Sequence, residues 1–175
     1  MVSEIEFVRR DCIIRPVLSS PQLQELREML ENPEGYYPGI SITDLLPESK
    51  SFWTEVWYKL LAPDLHGIYL GPKYPIAVVA DLKLPRLFCY SPEDKWEAPV
   101  SGDPREVWVY LPLLPSDGGH LYLPNKRYST RVLPAGHALS FPASEVHGIS
   151  RLRGNHQFAL VWIIKLFGKS QFTTV

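Results

Sequence analysis

Residues 107–165 read VWVYLPLLPSDGGHLYLPNKRYSTRVLPAGHALSFPASEVHGISRLRGNHQFALVWIIK. Short apolar runs, VWVYL, HLYL, STRVL, HALSF, VHGIS and FALVWII, alternate with turns rich in Pro, Gly, Ser and Asp. Runs of this length, rich in β-branched and aromatic residues and bounded by turn formers, predict an antiparallel sheet. Upstream, Glu6 to Val17 reads as one entry strand built on CIIRPV. Ser20 then offers an N-cap and Pro21 a first helical residue, with Leu23, Leu26, Met29 and Leu30 at helical spacing until Asn32 and Pro33. Phe52, Trp53, Val56, Trp57, Leu60 and Leu61 form the apolar stripe of a second helix, which Pro63 ends. Tyr74 to Tyr90 carries two further strand-like runs, while Tyr36 to Lys50 and Ser91 to Asp103 read as loops. No internal repeat or low-complexity linker divides the chain, so one domain over residues 1–175 is expected.

Composition narrows the function classes. Lys+Arg of 18 against Asp+Glu of 19 leaves a net charge of -1, with no basic block to neutralise a run of phosphates. No nucleic-acid partner is expected. Two cysteines, Cys12 and Cys89, are too few for a disulfide framework and lack zinc-site spacing. The N-terminal MVSEIEFVRR is short of apolar residues, and no apolar run reaches bilayer length. A cytoplasmic protein with no membrane partner is the expectation. Aromatic residues make up 12% of the chain, enough to fill a core or to wall a cavity for an apolar or aromatic small molecule.

The wording of residues 107–165 resembles the 2-oxoglutarate, Fe(II)-dependent oxygenases, and within them the prolyl-hydroxylase type. The Gly118-Gly119-His120-Leu121 turn, the strand entry running from Gly136 to Phe141, and His147 in FPASEVHGIS carry the resemblance. It implies an α+β, mostly β fold: a double-stranded β-helix (jelly-roll, cupin-like) barrel with N-terminal helices packed on one sheet. GHALSFPASEVH also resembles the second cupin motif through Gly136, Pro142 and His147, but the His-x-His of the first cupin motif is absent.

The resemblance implies a metal triad, in which a His-x-Asp or His-x-Glu pair joins a distal His. His147 stands at the distal position. Matching the earlier pair onto LPRLFCYSPEDKW puts Cys89 at the His position and Ser91 at the Asp position, and no His occurs between Gly67 and Gly119. Glu93 or Asp94 offers a carboxylate after a small gap. The family's inward Arg, about ten residues after the distal His, clamps the far carboxylate of 2-oxoglutarate. Counting back from Trp162 puts His156 there, beside Gln157, and alternation places His156, Phe158, Leu160 and Trp162 on one face, expected to line the barrel.

With the metal pair and the clamp both altered, the first expectation is a biosynthetic enzyme without metal or cofactor, of cyclase, isomerase or dehydratase type. His147 would move the proton, since imidazole as a side-chain type titrates near neutrality, with Glu93 or Asp94 as its partner. Cys89, Tyr90, Ser91, Tyr110, His120, His156, Phe158 and Trp162 would line the substrate pocket. The alternative is an oxygenase using Fe(II) and 2-oxoglutarate at an atypical site that includes His147. A third reading is a non-catalytic binding or scaffold protein, with a homodimer face on the helix layer.

Overall fold

The computed structural model describes residues 6–8, 12–30, 40–41, 50–58, 85–90, 101–103, 106–114, 118–153 and 157–165. Ten short strands and two helices occur among them. In chain order they are β1 (Glu6–Val8), β2 (Cys12–Pro16), α1 (Ser20–Leu30), β3 (Ile40–Ser41), α2 (Lys50–Val56), β4 (Arg86–Tyr90), β5 (Glu106–Pro112), β6 (Leu121–Leu123), β7 (Tyr128–Ser129), β8 (His137–Pro142), β9 (Gly148–Ile149) and β10 (Gln157–Lys165).

Seven strands form one sheet in the order β1-β2-β8-β5-β10-β4-β3, and three form a second in the order β7-β6-β9. Every pairing is antiparallel. β10 is the hinge of the large sheet. It pairs with β5 from Ala159 opposite Pro112 to Lys165 opposite Glu106, and with β4 from Gln157 opposite Tyr90 to Val161 opposite Arg86.

The large sheet is buried on both faces, and alternation sorts its side chains into two cores. Val107, Val109 and Leu111 of β5 and Phe158, Leu160, Trp162 and Ile164 of β10 pack with Leu23, Leu26 and Leu30 of α1 and Trp53 and Val56 of α2. The opposite face presents Cys12, Ile14, Tyr110, Leu139, Phe141, Ala159 and Val161 to Leu121 and Leu123 of the small sheet. Two facing antiparallel sheets with helices behind the larger one is the double-stranded β-helix arrangement that the sequence leads one to expect.

Several local expectations change. The single entry strand is two strands, β1 and β2, paired from Glu6 opposite Ile14 to Val8 opposite Cys12. The helix cap is Ser19 rather than Ser20: Gln22 N–H donates to Ser19 Oγ at 3.4 Å while Gln22 Oε1 accepts from Ser19 N–H at 2.9 Å. This Ser-x-x-Gln capping box satisfies two groups at once, which a lone Ser20 could not do. The STRVL run gives only the short β7 and then a 3-10 turn at Thr130–Val132, because β7 has a single partner strand. The PIAVVADL run, the end of the second helix beyond Tyr58 and most of the two loops lie outside the described residues.

Gly118 and Gly136 hold the crossings. At Gly118 the backbone has φ +82° and a Cβ would lie 1.8 Å from the Arg151 carbonyl oxygen. At Gly136 φ is +77°, a Cβ would meet the Leu18 carbonyl oxygen at 2.3 Å, and that glycine's own oxygen accepts from Val17 and Leu18 N–H at 2.9 and 3.0 Å. Only glycine fits either place without moving backbone.

Trp162, fully buried and edge-on to Trp53 at 5.8 Å, ties β10 to α2. Trp162→Ala is expected to cost about 3–5 kcal/mol, read as a lower denaturant midpoint in an equilibrium unfolding experiment. A loss below about 1 kcal/mol would contradict this packing.

Candidate functional site

His147 is placed by a tight turn. β8 ends at Pro142, whose oxygen accepts from Glu145 N–H at 2.9 Å, and the chain re-enters sheet structure at Gly148. The imidazole is 8% exposed and lies between two aromatic rings of the inner core, Trp108 at 5.0 Å and Phe141 at 5.2 Å between centroids. Trp108 and Phe141 face each other across β5 and β8 at 6.2 Å. His147 Nδ1 lies 2.7 Å from the Glu145 carbonyl oxygen. A carbonyl only accepts, so Nδ1 carries the hydrogen, and in the neutral ring Nε2 has the lone pair. A buried ring, held by aromatic walls and a backbone tether, thus presents one nitrogen as a base or a metal donor.

The Glu145 side chain sits beside this turn, with one oxygen 3.9 Å from Lys126 Nζ and the other buried without a hydrogen-bond partner among the described residues. Buried carboxylate oxygens normally have donors, so this is a place of unmet polar demand next to His147.

Gln157 is a second buried polar group, and counting back from Trp162 passes over it in favour of its neighbour His156. The residues sharing parity with His156, namely Phe158, Leu160 and Trp162, belong to the helix-side core. Phe158 and Trp162 therefore do not line the space between the sheets, contrary to expectation. Both faces of β10 are apolar, so period alone could not say which face points inward. Gln157, Ala159 and Val161 take the inner face, with Ala159 and Val161 in the inner core. Gln157 stands ten residues after His147, the clamp position that the resemblance implies.

Its amide is already engaged. Gln157 is 1% exposed; its Nε2 donates to the Leu114 carbonyl at 2.7 Å, and its Oε1 accepts from Leu114 N–H at 3.1 Å and from Phe158 N–H at 2.9 Å. Leu113 is gripped as well, its N–H donating to the Phe158 carbonyl at 2.9 Å and its own carbonyl accepting from Arg27 Nε at 2.6 Å. The end of β5 is thus sealed to β10 and α1. Leaving the Leu114 groups unsatisfied in a buried setting costs about 1–3 kcal/mol for each group.

The other candidates scatter. Tyr110 is buried in the inner core. His120 precedes β6, where Leu121 and Leu123 face inward, so it alternates to the outer side; its backbone N–H donates to Ser150 Oγ at 3.0 Å. His137 Nδ1 lies 3.2 Å from the Ala135 carbonyl oxygen. Among the described residues no group of three or more His, Cys, Asp and Glu could hold a metal ion. Cys89 and Tyr90 lie in β4, opposite Phe158 and Gln157. Ser91, Glu93, Asp94 and His156 lie outside the described residues. The segment carrying Ser91, Glu93 and Asp94 leaves β4 at Tyr90 and is described again at Ser101–Asp103, where Gly102 N–H donates to the Ala143 carbonyl at 2.6 Å. Gly102 is thus bonded to the same turn that carries His147.

The metal and co-substrate of the resembled family fit this arrangement unequally. His147 suits a metal, because Nδ1 is tethered and Nε2 is left with its lone pair. 2-Oxoglutarate does not fit at the clamp position, because Gln157 carries no charge and its amide is spent on Leu114. No helix among the described residues is long and apolar enough to cross a membrane.

Removing the cross-strand ring should release the imidazole. Trp108→Ala is expected to broaden and shift the His147 ring resonances in NMR while the fold persists; unchanged resonances would show that Trp108 does not hold the ring.

No protein-family model matches the sequence, and no curated protein matches it. Solved structures do. A Pseudomonas putida prolyl-4-hydroxylase superposes with a TM-score of 0.58 at 18% identity, covering 96% of this chain and 99% of that one. HygX from Streptomyces hygroscopicus, with nickel and 2-oxoglutarate bound, gives 0.57 at 13% identity over 90% of this chain and 83% of that one. The viral collagen prolyl hydroxylase vCPH of Paramecium Bursaria Chlorella virus-1 gives 0.53 at 13% identity over 89% and 90%. In fold, the chain resembles the 2-oxoglutarate, Fe(II)-dependent oxygenase superfamily.

Proposed function

We propose that this chain is an oxygenase-type enzyme with an atypical metal centre at His147, acting on an apolar or aromatic small molecule. The observation that carries the proposal is the His147 ring: buried, walled by Trp108 and Phe141, and tethered through Nδ1 so that Nε2 is left as donor. A carbonyl on the far ring nitrogen is the usual support of a metal-ligating histidine. The metal and 2-oxoglutarate bound in HygX make the same family of chemistry the natural comparison.

The remaining donors would be carboxylates of the segment between β4 and β5, where Glu93 and Asp94 lie, because that stretch contains no histidine. A bound iron ion would supply a Lewis-acidic centre that engages oxygen. The chain's own part is to hold the imidazole in one tautomer and to exclude water with the Trp108 and Phe141 rings. Tyr110, Leu139 and Val161 pack in the apolar core between the sheets, next to these rings. No step is assigned to 2-oxoglutarate, whose clamp position Gln157 occupies.

A second reading keeps its own support. The missing early histidine and the engaged Gln157 favour a metal-independent enzyme of cyclase, isomerase or dehydratase type, with His147 Nε2 taking a proton from substrate.

Anaerobic titration of the purified chain with Fe(II), or with Mn(II) as a redox-inert substitute, separates the two. The oxygenase reading expects saturation at about one ion per chain and loss of binding in His147→Ala. An unfolding midpoint unchanged in that variant would show the loss to be local. Absence of binding by the wild-type protein would overturn the metal centre and favour proton transfer at His147.

A further inference from the structure

We infer that Lys126 is a positioning residue for His147, acting through Glu145. The inference rests on the proposed function, in which His147 is the working group, and names a side chain outside the site that keeps it aimed.

The tether of the ring is a peptide carbonyl, and its direction follows from how residue 145 is held. Ahead of it, Ala143 N–H donates to the Glu106 oxygen and Glu145 N–H to the Pro142 oxygen, each at 2.9 Å. Behind it, Gly148 is fixed in β9 opposite Tyr122, whose Cζ and hydroxyl oxygen lie 3.1 Å from the place a Gly148 Cβ would take. The Glu145 carbonyl stands between these anchors. Its orientation turns on the backbone dihedrals of Glu145, and so on where that side chain goes.

The side chain goes to Lys126. Glu145 Oε2 lies 3.9 Å from Lys126 Nζ, and the side chains are only 14% and 16% exposed, so the pair is not a solvated surface contact. Glu145 Oε1 is buried without a hydrogen-bond partner among the described residues. A carboxylate this far out of water needs a counter-charge. The backbone that supplies it is uncommon. Pro124 opens the 3-10 turn Pro124–Lys126, and Arg127 closes it at φ +52°, its N–H donating to the Pro124 oxygen at 3.1 Å. Arg127 is the one non-glycine residue at positive φ among the described residues. Such a conformation beside a mostly buried ion pair points to a turn kept for what it carries. The ring's own partner is an uncharged carbonyl; the ammonium acts one step behind it. Without Lys126 the carboxylate is drawn out towards water, its peptide turns, and the hydrogen on Nδ1 spreads over both ring nitrogens.

The test reads that tautomer. The metal-free chain, with isotope-labelled histidine, is measured by nitrogen NMR at mildly alkaline pH, where imidazole as a side-chain type is neutral. In the wild type the His147 Nδ1 shift is expected to be that of a protonated ring nitrogen and the Nε2 shift that of a bare one. Lys126→Met is expected to draw the two shifts together and to weaken Mn(II) binding about tenfold or more, and Lys126→Arg to restore both. Wild-type shifts in Lys126→Met would overturn the inference, whatever its melting temperature, because an ion pair that only stabilises the fold leaves the tautomer alone. Glu145→Ala keeps the carbonyl and removes the link to Lys126. Drawn-together shifts are expected there too, and unchanged shifts would overturn the inference even if Lys126→Met fails to fold. Absence of Mn(II) binding by the wild type would count against the oxygenase reading alone, since the metal-free shifts still decide the role of Lys126.

Discussion

The register of β10 is the constraint on which the rest of the molecule depends. This strand pairs with β4 on one side and β5 on the other, and each alternate residue goes to a different core. Phe158, Leu160 and Trp162 bind the helices, while Gln157, Ala159 and Val161 close the space between the sheets. A slip of one residue would exchange the two sets and present Trp162 to the inner core, whose matching positions are filled by alanine and valine. The edge-on contact of Trp162 with Trp53 and the bonds of Gln157 to Leu114 hold the register from opposite faces.

That register also decides what kind of site the protein can have. It brings a neutral, fully engaged amide to the inner face of the large sheet, while the turn after β8 sets the imidazole of His147 against Trp108 and Phe141 of that face. The tether to the Glu145 carbonyl and the rings of Trp108 and Phe141 give the imidazole one orientation and one tautomer. The preorganisation comes from backbone and aromatic packing rather than from a charged partner. The function proposed here draws on that preorganisation, with chemistry at one nitrogen next to an apolar ligand.

Much of the fold was legible in the sequence, because turn residues punctuate the strands and the two helices carry clear apolar stripes. Gly118 and Gly136 mark places where the backbone must turn or cross closely, and both fall where the strand pattern breaks. The inward face of β10 was not legible. FALVWII is apolar throughout, so alternation could assign residues to two faces but could not say which face met the helices. Counting from Trp162 therefore selected His156, and the lock at Gln157 went unnoticed beside it. Glu145 was missed for a different reason: its contribution to His147 is a backbone carbonyl, which side-chain chemistry does not announce. The Trp108 and Phe141 walls depend on pairing between β5 and β8, strands separated in the chain by β6 and β7.

Anomalous X-ray scattering from crystals grown anaerobically with Mn(II) tests the central claim most directly. The account predicts an anomalous peak about 2 Å from His147 Nε2, a metal–imidazole bond length, with Nδ1 still held by the Glu145 carbonyl. A map without a peak at Nε2, or with metal bound only elsewhere, would contradict it.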